Sequence, residues 1–470
     1  MNKYDTLLSN TKIFAIATFS SKLMVFLLMP LYTRLLSPAD YGIMDIIVQT
    51  ANLIVPIAFI SISEAVIRYG LDKNTKKSDV FTTGISTCFK GFLVLLLFLP
   101  LLKLYPTISD YIVLIYIYVI SACLRAVCSQ FTRGIGLVRL YAFDGVLATL
   151  TIIIFNIIFM VGLKMGVTGY VLSIILSNFI SVLFLFISAN LGKYLKFGQA
   201  SKKLKREMYA YSLPLIPTTI FWWVMNVSDR YIVNYFLGED ITGLYSAAYK
   251  LPTIITLVSS IFAQAWQLSA VNEYETDDKD RFYSKIFGFL QAVIFTAASG
   301  IILLIKPLTI ALVAKPYYPS WDYTPILVYA VVFSCFATFL GSFYMASKKN
   351  SMSLITTMMG AGLNIVLNML FIPKMGGEGA AFATLISYFV VFLTRTIDTR
   401  RFVKLKIDIP VLALNIIAMS LQVFASVISV ERNYIVQILM TLFIIALNMK
   451  TLTYAFVSLI EMKNNKRKKK

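Results

Sequence analysis

Apolar runs long enough to cross a bilayer recur along the chain, separated by short polar stretches. They fall at 12–36, 41–62, 80–102, 111–128, 142–163 and 167–189, then at 212–237, 243–265, 282–305, 323–346, 351–372 and 380–394, and finally at 409–428 and 434–459. A hydrocarbon core of about 30 Å needs about 20 helical residues. The pattern therefore predicts an all-α polytopic membrane protein of about 14 transmembrane helices. A polar, basic stretch divides the first six runs from the second six. The expected organisation is an N-terminal six-helix lobe over 1–191, a cytoplasmic basic linker over 192–208 and a C-terminal six-helix lobe over 209–402. Two additional helices follow over 403–460, then a basic tail over 461–470.

The polar stretches differ in charge. If the N-terminus is cytoplasmic and the spans alternate, Lys73, Lys76, Lys77, Arg133, Arg139, the six cations of the linker, Lys348, Lys349, Arg400, Arg401, Lys404, Lys406 and the basic tail all fall on one side. The opposite turns hold only Arg34, Lys103, Lys164, Lys306, Lys315, Lys374 and Arg432. This asymmetry orients the protein with both termini in the cytoplasm of a bacterial inner-membrane topology. It also accounts for the net charge of +20. The basic tail reads as a topology and anionic-lipid anchor, so no nucleic-acid partner is expected. No short apolar stretch with a small-residue cleavage site precedes Pro30, so no cleaved signal peptide is expected.

Composition narrows the chemistry. The chain is 58% hydrophobic and 14% charged, with a mean hydropathy of +0.77; soluble domains run at about 45–50% apolar and about 25% charged. Histidine is absent, which removes Ser–His–Asp hydrolysis and most zinc sites. Cys88, Cys123, Cys128 and Cys335 lie in apolar runs without a CxxC pair, as buried small hydrophobes do. No metal centre, cofactor or catalytic residue is expected, and no loop is long enough to fold alone. Function must lie among the helices, and the protein is expected not to be an enzyme.

Two matched pieces suggest an internal duplication. Leu36 and Gly42, at the exit of the first run, match Leu237 and Gly243 at the exit of the seventh; Lys164-Met165-Gly166 matches Lys374-Met375-Gly376. The offsets are about 201 and 210 residues. Six spans, an even number, separate the copies, so the repeat is parallel, about an axis along the membrane normal.

Ionisable residues at bilayer depth are costly and face a cavity or a partner. Lys22 and Lys90 lie mid-span, and Arg230 and Lys250 lie at depth on the seventh and eighth helices. The ninth to fourteenth helices are expected to carry almost no charge at depth. Central cations outnumber acids, with Asp229 the plausible local partner, and a surplus of buried positive charge calls for an anion. A phosphate or pyrophosphate suits it, because Arg offers a planar fork and Lys a point charge. Snorkelling of Lys90 and a structural Asp229–Arg230 pair are the alternatives. Arg125 and Asp144 are expected to be interfacial or paired with each other. Trp222, Trp223, Tyr231, Tyr235, Tyr245 and Tyr249 cluster near the same depth as Asn226, Gln264 and Gln267, a set suited to sugar rings and hydroxyls. Asp45, Asp144 and Asp229 are the candidates for ion coupling. Pro56, Pro214, Pro217 and Pro252 permit helix bending.

Leu213-Pro214, Asp229-Arg230, Leu237-Gly238, Gly243-x-Tyr245-Ser246 and Ala248-Tyr249-Lys250 resemble the polysaccharide-export flippases of the Wzx type. So do Lys22 and the run Leu35-Leu36-Ser37-Pro38-Ala39-Asp40-Tyr41-Gly42. The resemblance implies membership of the multidrug/oligosaccharidyl-lipid/polysaccharide exporter superfamily, with two six-helix lobes about a central cavity. It implies movement of an undecaprenyl-pyrophosphate-linked oligosaccharide, such as an O-antigen or capsule unit, to the outer leaflet by alternating access. Membrane lipids, a polysaccharide polymerase and chain-length machinery are the implied partners. On this analogy Lys22, Arg230 and Lys250 hold the pyrophosphate, with Lys90 a weaker candidate and Asn226, Trp223 and Tyr249 beside them. Relatives often carry Arg where this chain has Lys22. The rivals are a peptidoglycan-precursor (lipid II) flippase, a cation-coupled multidrug antiporter and, more remotely, a membrane ligase or glycosyltransferase.

Overall fold

The computed structural model describes residues 28–72, 74–98, 103–196, 201–273, 279–347, 350–428 and 434–468. Among these the regular structure is entirely helical, and ten helical stretches are long and apolar enough to cross a membrane. The first run enters the described residues only from position 28, and Lys22 lies outside them. By internal contacts the chain forms two units. Unit 1 comprises 1–223 with 238–243 and 312–316; unit 2 comprises 224–237, 244–311 and 317–470.

Unit 1 contains α1 (Met29–Leu35), α2 (Pro38–Ala58), α3 (Ile62–Leu71), α4 (Lys77–Leu96), α5 (Ile112–Gly134), α6 (Val138–Asn156), α7 (Gly166–Ser188) and the short basic α8 (Lys202–Ser212). The Ser37-Pro38-Ala39-Asp40 start of α2 is a capping box with Pro at the first helical position. The Ser37 Oγ accepts from the Asp40 N–H at 3.1 Å, and the Asp40 carboxylate accepts from the Ser37 N–H at 3.4 Å. These bonds satisfy two donors the helix would otherwise orphan.

The second run is one helix, α2, that ends at Ala58; residues 59–61, just after Pro56, separate it from α3, with Ile60 and Ser61 both in left-handed backbone (φ 48° and 49°). Pro56 supplies no N–H to the helix, and its carbonyl accepts from the Ser61 N–H at 2.9 Å. A β-branched residue in this region costs roughly 1–3 kcal/mol. The break therefore persists only because packing on both sides holds it. The eighth run is divided. Its first part completes α9 (Leu215–Ala248), bent at Gly238, and its second part is α10 (Pro252–Glu273), which Pro252 opens.

Unit 2 is built on α11 (Lys279–Leu303), α12 (Ile305–Leu312), α13 (Thr324–Ala346), α14 (Asn350–Asp398), α15 (Ile409–Ile428) and α16 (Tyr434–Lys468), with most of α9 and α10. α14 bends at Gly376, and its 49 residues are long enough to cross twice. The core is aromatic: Phe333, Phe336 and Phe392 contact one another, and Phe287, Phe295 and Phe339 pack around them. The two C-terminal helices are tied in by amides and hydroxyls. Asn415 and Asn448 exchange hydrogen bonds, and the Gln422 amide donates to Ser299 O and Thr441 Oγ1.

The matched glycines behave alike. Gly166 and Gly376 both take positive φ, 55° and 62°, where a side chain would be strained. Gly42 and Gly243, the other matched pair, meet within unit 1. A Cβ on Gly42 would lie 2.5 Å from Glu239 O and 2.9 Å from Gly243 N.

A cation near the end of α14 is buried within unit 2: Arg395 is 1% exposed. Its guanidinium donates to Ala337 O at 2.7 Å, Thr357 Oγ1 at 2.9 Å and Thr356 Oγ1 at 3.0 Å, and lies over the Tyr344 ring. Its position one residue beyond the apolar run 380–394 gives it the look of a loop cation. In the fold it pins α13 and both halves of α14.

Candidate functional site

The α9 segment places Asn226, Asp229 and Arg230 on one helical face by their i, i+3, i+4 spacing. Asp229 is 1% exposed. Its Oδ2 accepts from Tyr245 Oη at 2.8 Å, Tyr249 Oη at 2.9 Å and Thr384 Oγ1 at 3.4 Å. Its Oδ1 accepts from the Arg230 backbone N–H at 2.9 Å. Tyr245 and Tyr249, four residues apart, reach it from beyond the Gly238 bend.

Around this carboxylate lies a second layer from α14. Asn368 Nδ2 donates to Asn364 Oδ1 at 3.0 Å, Ser228 Oγ donates to the same oxygen at 3.1 Å, and Asn364 Nδ2 donates to Thr384 Oγ1 at 3.4 Å. All four residues are buried. Asn368 Oδ1 has no hydrogen-bond partner among the described residues. The set offers carboxylate, amide and hydroxyl oxygens and no thiol or imidazole, so its chemistry suits a proton or a hard cation rather than a soft metal. Among the described residues there is no cluster of three or more acids or cysteines.

Arg230 is 7% exposed, with its guanidinium 4.5 Å from the centre of the Tyr249 ring and Nη1 donating to Asn226 O at 3.4 Å. Asn226 is exposed, and its Oδ1 accepts from Tyr388 Oη at 2.7 Å. One tyrosine, Tyr249, thus touches both charges of the Asp229-Arg230 pair. Lys250 is half-buried in the turn between α9 and α10. Tyr235 is 78% exposed.

The remaining candidates lie in unit 1. Asp144 pairs with Arg125 at 3.5 Å and takes a hydrogen bond from Ser181 Oγ. Arg125 Nε also donates to Ser181 Oγ at 2.9 Å, and Nη1 to Asn178 Oδ1 at 3.5 Å. Arg125, Asn178, Tyr32, Tyr118 and Tyr170 line a cavity of about 400 Å³. Asp45 is buried one turn before Val48, which also lines that cavity, and accepts from Gln49 Nε2 at 3.4 Å. Trp223 donates its indole N–H to Gln49 O at 3.1 Å. Lys90 is exposed on α4. The side chains of Gln264 and Gln267 lie outside the described residues.

Asn226, Asp229, Arg230, Tyr245 and Tyr249 therefore share one site. Thr384, Tyr388, Asn364 and Asn368 complete it, and sequence reasoning missed them. Asn364 and Asn368 carry a legible signal, two amides four residues apart in an otherwise apolar run.

Ten membrane-length helical stretches, with charged and polar clusters held among them, mark a multi-pass membrane protein. The chain belongs to the polysaccharide biosynthesis protein family, whose model matches residues 7–267. No curated protein matches it. Its fold is similar to that of the lipid II flippase MurJ in an inward closed conformation, with a TM-score of 0.70 at 16% identity, covering 95% of this chain and 99% of that one. It is also similar to an outward-facing MATE multidrug resistance transporter of the MOP superfamily, with a TM-score of 0.61 at 14% identity over 84% and 96% of the two chains. A MOP superfamily transporter from Pyrococcus furiosus, described by the reverse polarity of its binding pocket, matches with a TM-score of 0.60 at 14% identity over 83% and 95%.

Proposed function

We propose that the protein is a flippase. It moves an undecaprenyl-pyrophosphate-linked oligosaccharide, an O-antigen, capsule or exopolysaccharide unit, from the inner to the outer leaflet of the bacterial cytoplasmic membrane by alternating access. The observation that carries the reading is Arg230, a buried guanidinium on the family-matched segment that lies over the Tyr249 ring and borders the exposed Asn226. An anionic headgroup complements such a cation. Within unit 2, Arg230 and Lys250 are the residues assigned to the pyrophosphate, with Asn226 and Tyr249 assigned to the sugars; the resemblance adds Lys22, which lies outside the described residues, and Trp223 of unit 1.

Asp229 is the first candidate for coupling to a proton or cation, because its oxygen-only surroundings suit either. Asp144 and Asp45 are the second, within unit 1. Polysaccharide polymerase and chain-length machinery would act on the delivered unit.

The test is reconstitution in liposomes with a labelled lipid-linked oligosaccharide. Wild-type protein is expected to expose the label to the opposite leaflet. Arg230→Ala and Lys22→Ala are expected to slow this about tenfold or more, the scale of one charge-assisted hydrogen bond. Unchanged transport in both variants removes the site assignment.

The lipid II reading is supported by the MurJ-like fold, and a lipid II arm in the same assay separates the two cargoes.

A further inference from the structure

The cavity of about 400 Å³ in unit 1 takes its walls from α1, α2, α5, α6 and α7. Its size falls within the range of small-molecule sites, about 300–1,000 Å³. The room comes from α5. Ala122, Ala126 and Ser129 recur there at i, i+4, i+7 and are too small to fill the space beside that face. Tyr32 and Tyr170 meet edge to face, with ring centroids 5.1 Å apart at 88°, and so hold two parts of the wall at right angles.

The polar atoms of the wall both donate and accept. Gln130 Oε1 is buried without a hydrogen-bond partner among the described residues. The Tyr118 and Tyr170 hydroxyls make no hydrogen bond with a described residue, and each can donate and accept. Arg125 spends Nε on Ser181 Oγ and Nη1 on Asn178 Oδ1, with Nη2 3.5 Å from Asp144. A guanidinium has five N–H groups, so some remain for an occupant.

Charge selects the class of occupant. Among the described residues Arg125 is the one charged residue that lines the cavity, and Asp144 balances it. A phosphate finds no surplus cation there, and an organic cation meets a guanidinium. A hydrocarbon chain strands the amide and the phenols. An uncharged polyol meets every condition. Its hydroxyls donate and accept alike, and the C–H face of a pyranose covers an aromatic ring. Trp223, an aromatic assigned above to the sugars, donates its indole N–H to the carbonyl of Gln49, the residue after Val48 on the wall.

We infer that this cavity binds an uncharged pyranose, with Tyr118, Arg125, Gln130 and Tyr170 on its hydroxyls and a tyrosine ring on its apolar face. On the flippase reading, on which this step rests, the pyranose is one unit of the oligosaccharide. Unit 1 then has a contact with the cargo that owes nothing to the pyrophosphate.

The experiment uses full-length protein in nanodiscs and saturation-transfer NMR with free methyl glycosides of glucose, galactose and N-acetylglucosamine. Transfer to at least one glycoside is expected. Gln130→Leu and Tyr170→Phe are each expected to raise its Kd about three- to tenfold, the scale of one neutral hydrogen bond. Ala126→Phe, which fills the cavity and removes no polar group, is expected to abolish transfer. All variants are checked for wild-type thermal unfolding, and Tyr170→Phe keeps its ring, so it reads the hydroxyl alone should Ala126→Phe not fold. Inorganic pyrophosphate and tetraphenylphosphonium are expected not to compete. No transfer to any of the three glycosides, displacement by either ion, transfer unchanged in a folded Ala126→Phe, or a Kd unchanged in both polar variants overturns the inference. Transport of the lipid-linked oligosaccharide without glycoside binding defeats it and leaves the flippase reading standing. Glycoside binding that Ala126→Phe removes, without such transport, keeps the site and defeats the flippase reading.

Discussion

At the scale of single residues, the charges in this protein divide by what surrounds them. Asp144 has a guanidinium partner, and Asp229 is held by hydroxyl groups and one backbone N–H. Arg395 is held by neutral oxygens. Replacing Arg395 by Leu leaves Ala337 O and two threonine hydroxyls facing an apolar side chain. Each buried group so stranded costs about 1–3 kcal/mol, so the variant is expected to unfold several degrees lower in a detergent thermal scan. An unchanged midpoint would show that Arg395 is no keystone. Outside the spans, burial pushes the Asp322 carboxyl above the usual carboxylate range, against the opposing pull of the Trp321 side chain and Lys306. A carboxyl raised in the folded state favours folding while protonated, and that stability is lost as pH rises through the folded value. Asp322→Asn is therefore expected to be the more stable form at pH 7, with the gap closing below about pH 4. A gap that widens in acid contradicts the sign.

At the scale of elements, the apolar runs and their order are plain in the sequence, because a bilayer demands nearly unbroken hydrophobicity over a fixed length. The breaks are less so. Pro56 and Pro252 announce bends, yet the left-handed residues after Pro56 are Ile60 and Ser61, neither of which advertises that conformation. Tertiary packing imposes it. The same limit explains the site. Asp229, Arg230 and Tyr249 are legible as charges and aromatics close together in sequence, whereas Thr384 and Tyr388 join them only when α14 folds against α9. Arg395 escaped notice because its run of apolar neighbours ends one residue earlier. Two substitutions probe these bends. Gly376→Ala forces a Cβ into left-handed backbone and is expected to destabilise by about 1–2 kcal/mol. Ile60→Gly relieves strain at the α2–α3 break and, with Ile60 only half-buried, is expected to cost far less than the about 2–5 kcal/mol of a fully buried large-to-small change. Chemical denaturation of the purified variants compares the two; an Ile60→Gly cost at the top of that range would show that the break is not strained.

At the scale of the whole molecule, the chain is a multi-pass membrane protein of the polysaccharide biosynthesis protein family with a MurJ- and MATE-like fold. The sign of the proposed cargo follows from the candidate charges. A multidrug antiporter for organic cations wants acidic surroundings, whereas the candidate residues here are Lys22, Lys90, Arg230 and Lys250. The most direct measurement is transport of three labelled cargoes by one preparation of proteoliposomes: an undecaprenyl-pyrophosphate oligosaccharide, lipid II and a fluorescent organic cation. The account predicts movement of the oligosaccharide lipid, its loss in Arg230→Ala, and no uptake of the cation. Uptake of the cation with the oligosaccharide lipid left in its original leaflet would contradict it.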